Sequence, residues 1–299
     1  MTTSLATRWL TVAVSVLAST AMLPPQVQAS SATRYTRISA GAGFSCAVTV
    51  GGKGLCWGRA GAGQTRVPVG DFVEISAGGF HACGLTTRRR VVCWGGNGVG
   101  QTRVPAGRYT QISVGWSHSC ALTRSGKAVC WGQGSEGQTR VPAGRFNRIS
   151  SGFHHSCAVT PRGKGVCWGG NGSGQRRVPT GRYRQISAGL RHSCALSTDG
   201  RAVCWGDFDF AVPASRFTQI SASSGYLDAC ALSTDGKGLC WGLNEFGQRR
   251  VPAGRYTQIS SGEYHACAVT TDGEGICWGD NRYGQSTVPA DARPEGPPS

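Results

Sequence analysis

A unit of about 37 residues is written seven times in this chain, and that repetition limits the possible folds more than any other feature. The stretch from Arg108 to Gly144, RYTQISVGWSHSCALTRSGKAVCWGQGSEGQTRVPAG, shows the unit. Its copies run 34–70, 71–107, 108–144, 145–181, 182–215, 216–254 and 255–291. Each holds a Cys-Trp-Gly triplet, with Trp57, Trp94, Trp131, Trp168, Trp205, Trp241 and Trp278 as the tryptophans. The short runs YTQIS, HSCAL, KAVCWG and QTRVP are rich in β-formers and partly alternate, while Gly, Asp and Ser occupy the turn positions between them. No segment carries a helical 3,4 stripe. The expected fold is all-β: a seven-bladed β-propeller with four short strands per unit, each blade burying both faces against its neighbours. A β-solenoid would use parallel strands and shorter rungs, whereas tight turns such as Thr198-Asp199-Gly200-Arg201 favour antiparallel hairpins.

Two units depart from the pattern. The fifth reads CWGDFDFAVP, three residues short where the others have a Gly-Gln loop, and the sixth reads ISASSGYLDAC, with two residues extra. Consecutive blades should therefore carry one shortened and one lengthened loop.

The N-terminus sets the compartment. Arg8 precedes a mainly apolar run from Trp9 to Leu23, then Pro24, Pro25 and Val27-Gln28-Ala29, with small residues at the two positions a signal peptidase reads. Residues 1–29 are expected to be a signal peptide, a short N-terminal anchor being the alternative, and 292–299 a Pro-rich tail. No other stretch is apolar enough to span a membrane, so a secreted or extracytoplasmic protein is expected. In that setting fourteen cysteines should be oxidised. They fall ten positions apart as Cys46 and Cys56, Cys83 and Cys93, Cys120 and Cys130, Cys157 and Cys167, Cys194 and Cys204, Cys230 and Cys240, Cys267 and Cys277. A turn near Ser125 would set Cys120 opposite Cys130 on adjacent antiparallel strands, with Cα atoms about 4.5 to 5.5 Å apart, which a disulfide can bridge. Each bridge staples one blade.

The motifs G-x-x-H-S-C-A-L, G-K-x-x-C-W-G and G-Q-x-x-V-P resemble the repeats of the regulator of chromosome condensation family, over all seven units. The resemblance implies the seven-bladed propeller independently. That family's eukaryotic founder is a guanine-nucleotide exchange factor on chromatin, a role that an exported, cysteine-paired chain does not inherit from fold alone. Segments such as WGDNRYGQSTVP, Trp278 to Pro289, are also similar to the secreted propeller-type β-lactamase inhibitory proteins, which lack the paired cysteines. That likeness implies a contact surface of aromatic residues just before the histidine of G-x-x-H. The matching residues are Phe80 and Tyr264, with Trp116 and Phe153 one place earlier and Tyr226 in the lengthened sixth loop. The first unit has Ala42-Gly43 and the fifth Leu190-Arg191 there, so the aromatic ring is incomplete.

These aromatics should gather at one end of the ring as a protein-binding patch, unless some tuck between blades. Phe208, Phe210, Phe246 and Tyr283, in the loops after Cys-Trp-Gly, form a second possible cluster. His81, His118, His155, His192 and His265 each stand two residues before a cysteine. A zinc site per blade is disfavoured, because Phe44 and Asp228 take the same place where the cysteines persist, and a bond to a loop carbonyl is expected instead. Neither a metal nor another cofactor is expected. No catalytic constellation is legible: carboxylates are sparse in the first four units, no G-x-S-x-G elbow exists, and Asp228 and Asp280 read as turn residues. Enzyme activity is not expected.

Charge is distributed unevenly. From Ser30 to Thr198 there are 22 Lys and Arg against 3 acids, and from Asp199 onward 8 against 12. Arg66, Arg103, Arg140, Arg177 and Arg250 recur before Val-Pro, and Arg108, Arg145, Arg182, Arg216 and Arg255 before the following aromatic. In-phase arginines could form a belt for an anionic glycan, lipid headgroup or nucleic acid, or simply a solvated surface. The function expected is a secreted, non-enzymatic binding propeller for an extracellular protein, in its sharpest form an inhibitor of an extracellular enzyme. Its rival is binding of an anionic envelope polymer through the arginine belt. Nucleic acid is not the expected partner.

Overall fold

The computed structural model describes residues 33–290 other than Tyr226; the expected signal peptide, the Pro-rich tail and Tyr226 lie outside the described residues. Among the described residues each unit forms one antiparallel sheet, and there are seven. In the first blade an inner strand Tyr35–Ala40 pairs with a middle strand Phe44–Thr49, which pairs with an outer strand Gly54–Gly58. The inner strand alternates, burying Tyr35, Ile38 and Ala40 and turning the residues between them away from the core. The middle strand is buried along its whole length, because a neighbouring blade covers each face. Each core cluster therefore mixes two blades: Phe44, Cys46 and Val48 of the first pack with Phe72, Ile75, Ala77 and Trp94 of the second. Tyr35 and Ile38 pack with Cys267 and Val269 of the seventh, so the last blade meets the first.

The structure has three strands per blade, not four. In the run expected as the fourth, Arg66 N–H bonds Gly63 O and Val67 N–H bonds Thr65 O, which are turn contacts, and the following proline has no N–H to offer a ladder. Val67 instead packs into the core between the first and second blades.

All seven expected disulfides are formed, and no described cysteine is free. Each joins directly opposed residues of the middle and outer strands, as Cys120 and Cys130 do. Their Cα atoms are 4.0–4.1 Å apart, closer than expected. Thr123 N–H bonds Lys127 O three pairs along the hairpin, so the cysteines occupy a pair without ladder hydrogen bonds, the type in which side chains approach most closely.

Serine ties the blades into a ring. The Oγ atoms of Ser39, Ser76, Ser113, Ser150, Ser187 and Ser221 each accept the backbone N–H of the next blade's inner strand, at Ala77, Val114, Ser151, Ala188, Ala222 and Ser261. Ser260 accepts from Ala40 at 3.0 Å and closes the circle. A second belt lies where glycine backbones touch: a Cβ on Gly78 would stand 2.2 Å from Gly115 O, and one on Gly262 would stand 2.6 Å from Gly41 O. The G of G-x-x-H is thus required by close approach between blades.

Candidate functional site

The G-x-x-H loop joins the inner strand to the middle strand, and the loop after Cys-Trp-Gly leaves the outer strand at the same end, because His118 pairs with Gly132 across the ladder. Both loop sets therefore share one face of the ring. On it the side chains form a nearly continuous ribbon. Phe153 stacks on Trp116 with centroids 4.5 Å apart, Trp116 meets Phe80 edge-on at 5.5 Å, and His154 lies against Phe153 at 4.3 Å. The Arg59 guanidinium bridges Phe80 and Tyr283, at 5.3 and 5.4 Å. Beside Tyr283, Arg282 lies over Phe246 and Tyr264, which contact each other at 4.8 Å. Tyr283 is 52% exposed, whereas Phe80, Trp116, Phe153, Tyr264 and Phe246 are half-buried.

The structure thus brings Phe80, Trp116, Phe153 and Tyr264 to one face, and Tyr226 falls outside the described residues. The two clusters expected from sequence are not separate. Phe246 and Tyr283 join the first, and Tyr283 packs over Gly43, filling the gap left by the first unit. Phe208 is buried in the core between the fifth and sixth blades with Phe210 against it, because the shortened fifth loop folds inward. Arg59 and Arg282 were missed as site residues. The signal available was an arginine beside the aromatic loop positions, at Arg282-Tyr283.

Four of the five histidines bond a serine of the next blade and not a loop carbonyl. Nε2 of His81, His118, His155 and His265 lies 2.7–2.8 Å from Oγ of Ser119, Ser156, Ser193 and Ser45 in the next blade. Each serine donates its own proton to the backbone O of Gln101, Gln138, Gln175 or Gln285, so the histidine is the donor, protonated at Nε2. Burial pushes the histidine pKa down to about 3 at His81, His118 and His155 and about 4 at His192 and His265. A buried serine whose hydroxyl is committed to a carbonyl is not an activated nucleophile, and this pairing is a structural joint. The cysteines are consumed in disulfides, and among the described residues no group of three His, Cys, Asp or Glu could hold a metal.

Asp280 is a turn residue, its Oδ1 accepting the Arg282 N–H two residues on, whereas Asp228 is not. Asp228 opens a middle strand, buried, with its carboxyl pushed up to about 8 by burial. Asp280 is buried and holds Arg282 in a 2.9 Å ion pair, which aims that guanidinium at the aromatic ribbon.

The arginines occupy other surfaces. Arg66, Arg103, Arg140, Arg177 and Arg250 are exposed on the segments between blades. Arg108, Arg145, Arg182, Arg216 and Arg255 are exposed at the opposite face, since Tyr109 N–H bonds Arg89 O and Phe146 N–H bonds Gly126 O in the preceding hairpin turns. Among the described residues none of these ten forms an ion pair.

Seven disulfide-braced blades around one axis, with loops rather than a cleft gathering the aromatic side chains, define a propeller-repeat protein. The regulator of chromosome condensation (RCC1) repeat matches at residues 72–101, 109–138, 146–175, 183–210 and 256–285, and the chain belongs to that family. The two units outside these matches are the ones with Phe44 and Asp228 in place of histidine. No curated protein matches the chain. Among solved structures, the CRINKLY ectodomain of the Arabidopsis thaliana receptor kinase ACR4 is similar at 25% identity, over 87% of this chain and 99% of that one, with a TM-score of 0.71. The ectodomain of the Physcomitrella patens receptor kinase CR4 is similar at 26% identity, over 83% and 73%, with a TM-score of 0.70. Prp20p from Saccharomyces cerevisiae shares the fold at 19% identity, over 82% and 72%, with a TM-score of 0.54.

Proposed function

We propose that this chain is a secreted, non-enzymatic propeller that binds an extracellular protein across its aromatic loop face. The observation that carries the reading is the ribbon from His154 through Phe153, Trp116, Phe80, Arg59 and Tyr283 to Arg282, Phe246 and Tyr264. Trp, Tyr and Arg held in mutual contact supply large contact area at little further cost in side-chain entropy, the composition of interface hot spots. Seven disulfides and the likeness to two receptor ectodomains support an oxidising, extracytoplasmic setting. The sharpest form of the reading is an inhibitor whose loop face covers the active site of an extracellular enzyme.

The test compares one partner, captured by the secreted protein, against a Trp116→Ala/Phe153→Ala variant with all disulfides intact. Affinity should fall at least about a hundredfold, the loss of two hot-spot side chains, and change little with salt. If affinity survives both substitutions but drops steeply with ionic strength, the partner is an anionic polymer held by Arg66, Arg103, Arg140, Arg177 and Arg250, and the reading fails.

A further inference from the structure

The hairpin face carries charges that the aromatic face does not use. In the second unit the hairpin reads Thr-Thr-Arg-Arg-Arg, and Arg89 takes the place held in the other six by Gly52, Gly126, Gly163, Gly200, Gly236 and Gly273. Those glycines have φ between 78° and 88°, and Arg89 is forced to 62°, a conformation that residues with a Cβ adopt only at a cost. Strain of this kind is a mark of functional positions. Arg89 lines the axial cavity, of about 610 Å³, together with Arg37 and Arg148.

The arginines at 37 and 148 are departures of the same kind. At their place in the inner strand four blades carry glutamine, and Gln111, Gln185 and Gln258 each clasp both backbone groups of the next blade's isoleucine. Arg37 and Arg148 are exposed instead. Arg148 also lines a groove of about 500 Å³ between the fourth and fifth blades, with Arg162, Arg182 and Arg184. Among the described residues none of these six guanidiniums is in an ion pair, and Glu74 is the single carboxylate lining either space.

We propose that the axial cavity and the groove that adjoins it at Arg148 form a binding site for a small, multiply charged oxyanion carrying two or more phosphate or sulfate groups. Guanidinium forks bind such groups bidentately. Each serine of the axial ring already accepts an N–H, so its hydroxyl proton is the group left to donate toward the cavity. Burial pushes the Glu74 carboxyl up to about 7, against the pull of Arg37, Arg148, Arg89 and the Ile112 N–H. Protonation below that pH removes the site's one negative charge, so anion affinity rises as pH falls through about 7.

Calorimetric titration of the oxidised secreted protein with inorganic triphosphate, and separately with a heparin-derived tetrasaccharide, tests this. Saturable one-to-one binding of either supports the site, and the tighter probe tells whether phosphate or sulfated sugar is the source. Arg37→Gln with Arg148→Gln installs the residue other blades use, and should keep the fold while weakening binding about tenfold or more. Arg89→Gly should weaken binding and raise the melting temperature by about 2 °C. Glu74→Gln should tighten binding at pH 8 by about threefold and flatten the pH dependence. Trp116→Ala/Phe153→Ala should change nothing here, which keeps this test separate from that of the loop face. Absence of saturable binding by both probes would overturn the proposal. So would an equal loss in an Arg66→Gln/Arg103→Gln/Arg140→Gln variant, since binding would then be diffuse.

Discussion

The joint between blades is decided one side chain at a time. Where a unit has Ser after its G-x-x-H position, the preceding unit has His to meet it: His81 and Ser119, His118 and Ser156, His155 and Ser193, His265 and Ser45. Where the following unit has Ala82 or Ala266, the preceding one has Phe44 or Asp228. His192 breaks the rule by facing Ala229 and so has no serine to meet it; its ring lies against the Asp228 backbone, and Phe208 stacks on it at 4.8 Å. Ser119→Ala should therefore cost about 1–3 kcal/mol in thermal or urea unfolding, because the buried His81 Nε2–H is left unsatisfied. Ala229→Ser should do the reverse at His192 and add about 1 kcal/mol. This pairing could have been read from the repeat, but only by comparing each unit with the next, since the partners lie 38 residues apart.

At the scale of the element, the Gly-Gln loop explains itself through its backbone. Gly100 adopts φ 79°, Gln101 Oε1 accepts Val99 N–H, and Gln101 O takes both the Trp131 indole N–H and the Ser119 hydroxyl. The fifth unit lacks this loop, and the indole N–H of Trp241, which would have used it, is buried without a partner among the described residues. The disulfides act on a smaller loop within the blade. Replacing Cys120 and Cys130 together by Ser should lower stability by about 2–3 kcal/mol in the chain-entropy account, as an upper figure, because the hairpin is already closed by its ladder. Urea unfolding of the variant checks it, and a loss above about 5 kcal/mol would show that the bridge does more than limit the unfolded chain. The hairpins were legible in sequence because their turns are local. The fourth run was not, because its β-formers bury a valine without pairing a strand.

For the whole molecule, five histidines shut away from water make acid the weak side. Unfolded rings titrate near 6.5, whereas the folded ones refuse protons down to about 3 or 4. Above pH 7 they contribute nothing to the pH dependence; below about 6.5 the unfolded chain gains protons that the folded one excludes, and stability falls. Glu74 and Asp228, raised to about 7 and about 8, act oppositely and lose stability as pH rises from about 4. Five groups against two leave a net loss of up to about 4 kcal/mol per pH unit between pH 6 and 5. Melting temperatures across that range check the sign. A melting temperature that rises toward pH 5 would mean that the rings are not neutral in the folded protein.

Sequence alone determined the number of blades, the seven cysteine pairs and the loops that carry aromatic residues, because each is local or repeats in phase, and equivalent positions in a repeat fold to equivalent places. Tertiary structure alone decided which of those residues meet. It merged Phe246 and Tyr283 with the Phe80, Trp116 and Phe153 stack, withdrew Phe208 into the core, and put Arg59 between rings of the second and seventh units. Closing the ring sets residue 40 beside residue 260, and no local pattern encodes that adjacency; it follows from the angle at which each blade packs on the last.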